Sequence, residues 1–253
     1  MRARDGSSAA GLEQKQYVTA ADNEREFSPG EQETIIAGIE GRDPEIVLEM
    51  YHHSNGTILE LNGLVEEAIK EYREVISLNP AEGFYHYNLG VALLKNNEYN
   101  DAYKELSEAI RMDPENLEAC YALADVNYAI GNSLMLEGRF EEATGAFREA
   151  IAIDTGYASY HHGLGTALFE MARKIATGTS GSLLYEAISE FRFANRLEPE
   201  NRAVCINLGR ALAMSSVQDF HDVVKMLQEI LIEDPLDDEA RSCLYTLQRR
   251  TVE

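Results

Sequence analysis

Apolar residues recur along this chain with the period of a helix, in blocks that themselves repeat. Gly56, Ala68, Tyr72 and Pro80 return 34 residues later as Gly90, Ala102, Leu106 and Pro114, and again as Gly131, Ala143, Phe147 and Thr155. Two stretched copies follow: Gly165, Ala187, Phe191 and Pro199, then Gly209, Val223, Leu227 and Pro235. Three residues after each glycine stands a leucine, at Leu59, Leu93, Leu134, Leu168 and Leu212, which gives each glycine-bearing stretch one apolar side. No apolar pattern alternates convincingly with the period of a strand. Each copy thus predicts two helices, with a turn at Asn62-Gly63, Asn96-Asn97 or Glu137-Gly138, because Gly and Asn tolerate the left-handed backbone that ends a helix. Proline then stops the second helix. A unit this small cannot bury its own apolar face and must stack on its neighbours, so the chain reads as all-α and quasi-linear.

The copies divide 49–237 into 49–82, 83–116, 117–157, 158–201 and 202–237. Seven extra residues, Leu117 to Leu123, precede the third glycine; seven is close to two helical turns, so they can lengthen a helix without rotating its apolar face. Ten more lie between the helices of the fourth copy, ending in Thr177-Gly178-Thr179-Ser180-Gly181-Ser182, which reads as a mobile loop. Residues 1–27 hold too few large apolar groups to offset the entropy of ordering them and read as a flexible tail. Residues 28–48 read as an N-terminal capping helix and lead-in: Ser28-Pro29-Gly30-Glu31 is a start signal, Ile35, Ile36 and Ile39 give an apolar side, and Asp43-Pro44-Glu45 signals a second start. Residues 238–253 read as a C-terminal capping helix with the stripe Ala240, Leu244 and Leu247, and with Arg249 and Arg250 at its favourable end.

Charge narrows the partners. With 44 acidic against 22 basic residues the formal net charge is -22, the wrong sign for a phosphate backbone, so no nucleic acid is expected. The excess acid reads first as a solvated outer surface and second as attraction for a basic partner. Cys120, Cys205 and Cys243 are odd in number and widely spaced, suggesting neither disulfides nor zinc and fitting a reducing compartment. No apolar run resembles a secretory signal or a membrane span, so no membrane insertion and a cytoplasmic location are expected.

Tyr51-His52-His53, Tyr85-His86-Tyr87 and Tyr160-His161-His162 recur in step with the glycines. A ladder of metal ions is the tempting reading, but equivalent residues of stacked helices stand roughly 8 to 10 Å apart, too far to share an ion bound at about 2.0 to 2.3 Å. His52, His86 and His161 read instead as fillers between paired helices. Gly178 to Ser182 lacks the lysine and the preceding strand of a phosphate loop. No nucleophile, base or paired-carboxylate constellation stands out, so neither an enzyme nor a cofactor is expected.

The Leu-Gly, Ala, aromatic, Ala and Pro pattern, carried by Leu89-Gly90, Ala102, Leu106, Ala109 and Pro114 and by Leu164-Gly165, Ala187, Phe191, Ala194 and Pro199, resembles the tetratricopeptide repeat family over about three quarters of the chain. Departures are Asn55 for Leu, Thr155 for Pro, Val223 for Ala and the absence of Trp, so the fifth copy matches least. The resemblance implies a right-handed α-α superhelix of about five helix pairs with capping helices. It also implies a concave groove formed by residues six and three before each glycine and one, four and five after it. Here that set includes His53, Thr57, Tyr87, Val91, Leu94, Tyr128, Asn132, Met135, His162, Thr166, Phe169 and Arg210, an aromatic and apolar lining with few fixed charges. His53, Tyr87 and Tyr128 stand where chaperone-binding members place Lys and Arg, which disfavours a chaperone-tail clamp. The function implied is an adaptor that binds a peptide or helical segment of another protein. The alternative is a structural or self-associating subunit that uses its solenoid edges and acidic convex face.

Overall fold

The computed structural model describes residues 43–174, 180–215 and 220–250; the expected tail at 1–27 and most of the expected capping segment at 28–48 lie outside the described residues. The chain divides into one unit up to Leu48 and a second from Glu49 onward. Among the described residues all regular structure is helical: α1 Pro44–Leu61, α2 Val65–Leu78, α3 Gly83–Lys95, α4 Tyr99–Met112, α5 Leu117–Leu136, α6 Phe140–Ile153, α7 Ala158–Lys174, α8 Ser180–Leu197, α9 Arg202–Met214, α10 His221–Glu233 and α11 Asp238–Arg250. Asp43 Oδ1 accepts from the Glu45 amide at 3.1 Å, and Pro44, with no amide hydrogen to satisfy, opens α1.

Successive helices from α2 to α11 pack on one another, and the first helices of adjacent copies also touch: α3 on α5, α5 on α7, α7 on α9 and α9 on α11. That is the contact pattern of a stack of helix pairs closed by a single helix. The recurring glycine has a steric cause. A Cβ on Gly56, Gly90, Gly131 or Gly165 would come within 2.6 to 2.8 Å of Tyr72, Leu106, Phe147 or Phe191 on the second helix of the same copy. Those large residues are buried against the bare glycine backbone, so glycine and large residue form one unit of the repeat. The turns between paired helices take positive φ at Gly63 (79°), Asn97 (62°) and Gly138 (74°), the conformation that ends a helix without cost for glycine and at little cost for asparagine.

The insertions become helix. α5 has 20 residues against 13 in α3, so the seven extra residues extend it. α7 and α8 have 17 and 18 residues against 13 and 14 in the second copy. Ser180, Gly181 and Ser182 therefore belong to α8, which corrects the loop expected through Ser182; residues 175–179 are outside the described part. α11 buries Ala240, Cys243 and Leu247 against α9 and α10.

The two larger clusters of the core meet in α5. Tyr72, Leu89, Leu93, Leu106 and Val126 belong to one cluster, and Phe147, Leu168, Phe191, Leu212 and Leu227 to the other. Side-chain bonds tie copies one and two (Tyr85 to Glu49, Lys95 to Glu60) and copies three and four (Tyr160 to Asp125, Arg148 to Glu186). Among the described residues copies two and three share no hydrogen bond or ion pair between side chains; the Asn116 side chain caps α5 by accepting from the Ala119 amide, and apolar packing of α3 and α4 on α5 joins the copies.

Candidate functional site

Residues at the same offset from each glycine occupy the same face of α1, α3, α5, α7 and α9. His53 and His162, three before their glycines, are half-buried and make the same bond: Asn88 Nδ2 donates to His53 Nε2 at 3.1 Å, and Asn207 Nδ2 donates to His162 Nε2 at 2.9 Å. An amide nitrogen only donates, so both imidazoles accept at Nε2. Each pair links first helices of adjoining copies. Burial holds both histidines below the ordinary imidazole range, the Glu198 charge opposing it at His162. Around His53 stand the rings of Phe84, Tyr85 and Tyr72, with centroids 5.2, 5.5 and 6.4 Å away. Asn88 and Asn207 were not singled out from the sequence, although each sits two residues before its glycine.

Tyr87, Val91 and Leu94 are half-buried against the first core cluster. Burial, with the nearby Glu118 and Glu60 charges, pushes the Tyr87 phenol up. Tyr128 lies between Phe147 and Tyr160, with centroids 5.8 and 5.3 Å away, and Met135 packs on the second cluster. Thr57 and Thr166 donate their hydroxyls to the carbonyls of His53 and His162 on their own helices. Asn132 is exposed. Phe169 is the correction: only 3% exposed, it belongs to the core and offers no open surface. It is overlain by the guanidinium groups of Arg210 and Arg173, 5.5 and 6.0 Å from its centroid, so charged groups stand where an apolar lining was expected.

The same face carries other charges, each engaged. Glu60 accepts from Lys95 Nζ at 2.6 Å and from the Tyr72 hydroxyl at 2.8 Å. Asp125 accepts from the Tyr160 hydroxyl at 2.6 Å, and Glu170 from Arg173 at 2.8 Å. Exposed apolar side chains accompany them: Met50 and Phe84, six before their glycines, and Leu61, Leu136 and Met214, five after, with Leu136 as much as 92% exposed.

Between paired helices, His52, His86 and His161 hold the filler position, and each Nδ1 meets a glutamate of the second helix: Glu71 at 2.6 Å, Glu105 at 2.7 Å and Glu190 at 2.7 Å. The Nε2 atoms of His86 and His161 also face the carbonyls of Pro80 and Thr155. The glutamates were missed in the sequence, yet each stands three after the repeat alanine, Ala68, Ala102 or Ala187. No group of three or more His, Cys, Asp or Glu among the described residues is placed to hold a metal ion. No described helix is long and apolar enough to cross a membrane.

No curated protein matches the chain by sequence. Two family models, each of a tetratricopeptide repeat, match residues 87–158 and 52–82. Among solved structures, YrrB, described as a TPR protein with an unusual peptide-binding site, is similar with a TM-score of 0.51 at 17% identity, covering 83% of this chain and 96% of that one. MamA from Desulfovibrio magneticus RS-1, residues 41 to the end, gives 0.52 at 17% identity over 76% and 97% of the two chains. A further MamA structure gives 0.51 at 20% identity over 74% and 92%. These likenesses are likenesses of fold. The matched models mark residues 52–82 and 87–158 as tetratricopeptide repeats, and the helix pairs described above give the chain the fold of that family.

Proposed function

We propose that this protein is a scaffold that holds a segment of another protein on the shared face of its first helices, the concave groove of the repeat family. The observation that carries this reading is the charge on that face. In a chain of net charge -22 its acidic groups Glu60, Asp125 and Glu170 are each bonded to a neighbour, while Phe84, Leu61, Leu136 and Met214 stay exposed. An apolar strip bordered by solvated charge favours association through buried side chains. The peptide-binding site ascribed to YrrB, a protein of similar fold, agrees with this reading. The test is selection of short random peptides on the immobilised protein, followed by calorimetry with Tyr87→Ala and Tyr128→Ala. Weakened binding in both variants supports the groove. Unchanged binding that falls steeply with salt moves the binding surface to the acidic outer face.

A further inference from the structure

Among the described residues Arg210 is the one cation on this face without an opposite charge, Lys95 and Arg173 being paired. The chain has twice as many acidic as basic residues, and most of the arginines described find one. Arg111, Arg139, Arg148, Arg173 and Arg241 meet carboxylates at 2.5 to 3.0 Å, and Arg202 binds both Asp234 and Asp237. Arg210 has no carboxylate among the described residues. Its guanidinium lies half-buried over Phe169, with Nη1 3.4 Å from Asn207 Oδ1, a long contact. Asn207 is in turn fixed by donating to His162 Nε2, which turns its oxygen toward the arginine. The side chain is thus oriented by a ring and by an amide, and its remaining N–H edge is unmatched among the described residues.

Resting on the groove reading above, we propose that the segment bound there presents one internal Asp or Glu side chain to Arg210. A guanidinium edge matches one carboxylate through two parallel hydrogen bonds. A phosphate, carrying close to two charges, needs further cations, and Lys95 and Arg173, the others on this face, are already paired. Arg210 follows Gly209 directly, low on the helix face and partly buried, so a side chain reaching down from a main chain above fits it better than a chain terminus. The rest of the segment is apolar, because Phe84, Leu61 and Leu136 face it in the first three copies. The acid then fixes the direction in which the segment lies.

Selection of short random peptides on the wild-type protein and on Arg210→Gln tests this. Wild type is expected to enrich peptides with one Asp or Glu at a fixed distance from an apolar residue, and Arg210→Gln to select apolar peptides without that preference. With a synthetic peptide from the wild-type selection, replacing its acid by the amide should weaken binding to wild type about tenfold or more and to Arg210→Gln hardly at all. Arg210→Lys, keeping charge but not the fork, should fall between. Amidating the peptide's C-terminus should change nothing; a loss there would assign the terminal carboxylate and overturn the proposal. Apolar peptides without acid preference on wild type overturn it while the groove reading stands, and failure of wild type to select any peptide removes both. An unchanged melting temperature for Arg210→Gln shows that the effect is not loss of fold.

Discussion

His161 Nδ1 lies 2.7 Å from Glu190 Oε2, joining the two helices of the fourth copy, and its equivalents join the first and second. Where the pair is missing, both members are replaced: the third copy has Asn127 with Ala146, the fifth Cys205 with Met226. A lone histidine or glutamate between the helices would be a stranded polar group, and no copy has one, although the third keeps the buried amide of Asn127. Glu190→Ala should therefore destabilise the fold by about 1–3 kcal/mol, the cost of an unsatisfied buried group. His161→Cys combined with Glu190→Met, the fifth-copy pair, should lose less than the sum of the single changes in a double-mutant cycle read by denaturant unfolding. Strict additivity would show that the pair is incidental.

Two glycines on helices of the third copy should respond oppositely to alanine. A Cβ on Gly131 meets the Phe147 ring at 2.6 Å, whereas one on Gly145 meets nothing within 4 Å. Gly145→Ala should stabilise by up to about 1 kcal/mol through helix propensity. Gly131→Ala should destabilise, overpacking of about 1–3 kcal/mol outweighing the same gain. Gly209→Ala, with Leu227 at 3.3 Å, should fall between them. Thermal melting of the three variants checks the order.

Acid should loosen the joints between first helices. His53 and His162 are held below the ordinary value of 6.5 by burial, so the unfolded chain takes up protons at a higher pH than the native one. Their contribution to stability is then complete above about pH 6.5 and is lost as pH falls through the lowered folded values. Protonation also removes the Nε2 lone pair that accepts from Asn88 or Asn207. Melting temperature against pH should drop below that point, and His53→Gln with His162→Gln should flatten that part of the curve.

For any peptide captured in the groove, Tyr87→Ala and Tyr128→Ala should each cost about 1 to 3 kcal/mol of binding, the range for buried aromatic anchors. Glu67→Ala, an exposed change on α2, should cost far less. Calorimetry at low and high salt should give similar affinities for peptides that bury mainly apolar surface.

The helix pairs were legible because spacing records packing: Gly131 and Phe147 can be read as partners sixteen residues apart before any contact is seen. The turns were legible for a similar reason, since Gly63, Asn97 and Gly138 are residues that accept positive φ. The Ser180–Ser182 segment misled because Gly and Ser weaken a helix locally, while Leu183 and Leu184 just after them pack on the core and carry the helix through. Phe169 misled because its offset from Gly165 places it on the groove face but does not reveal that Arg210, one copy later, reaches over its ring. Partners in separate copies, such as His53 with Asn88, follow from how copies stack, which the period does not specify.

The junction between copies two and three, with apolar packing and no bond between side chains among the described residues, bears on how the stack answers a pull. In a linear array each neighbour contact carries its own share of the stability, so load applied at the two ends runs through every junction in series. Non-directional apolar contact can slide before it parts, whereas the Tyr85–Glu49 and Tyr160–Asp125 bonds on either side hold a fixed geometry. Stretched between its termini in a single-molecule force measurement, the protein should yield first at α5, extending in two steps as two blocks separate, so that the stack acts as a jointed spring and not as a uniform rod.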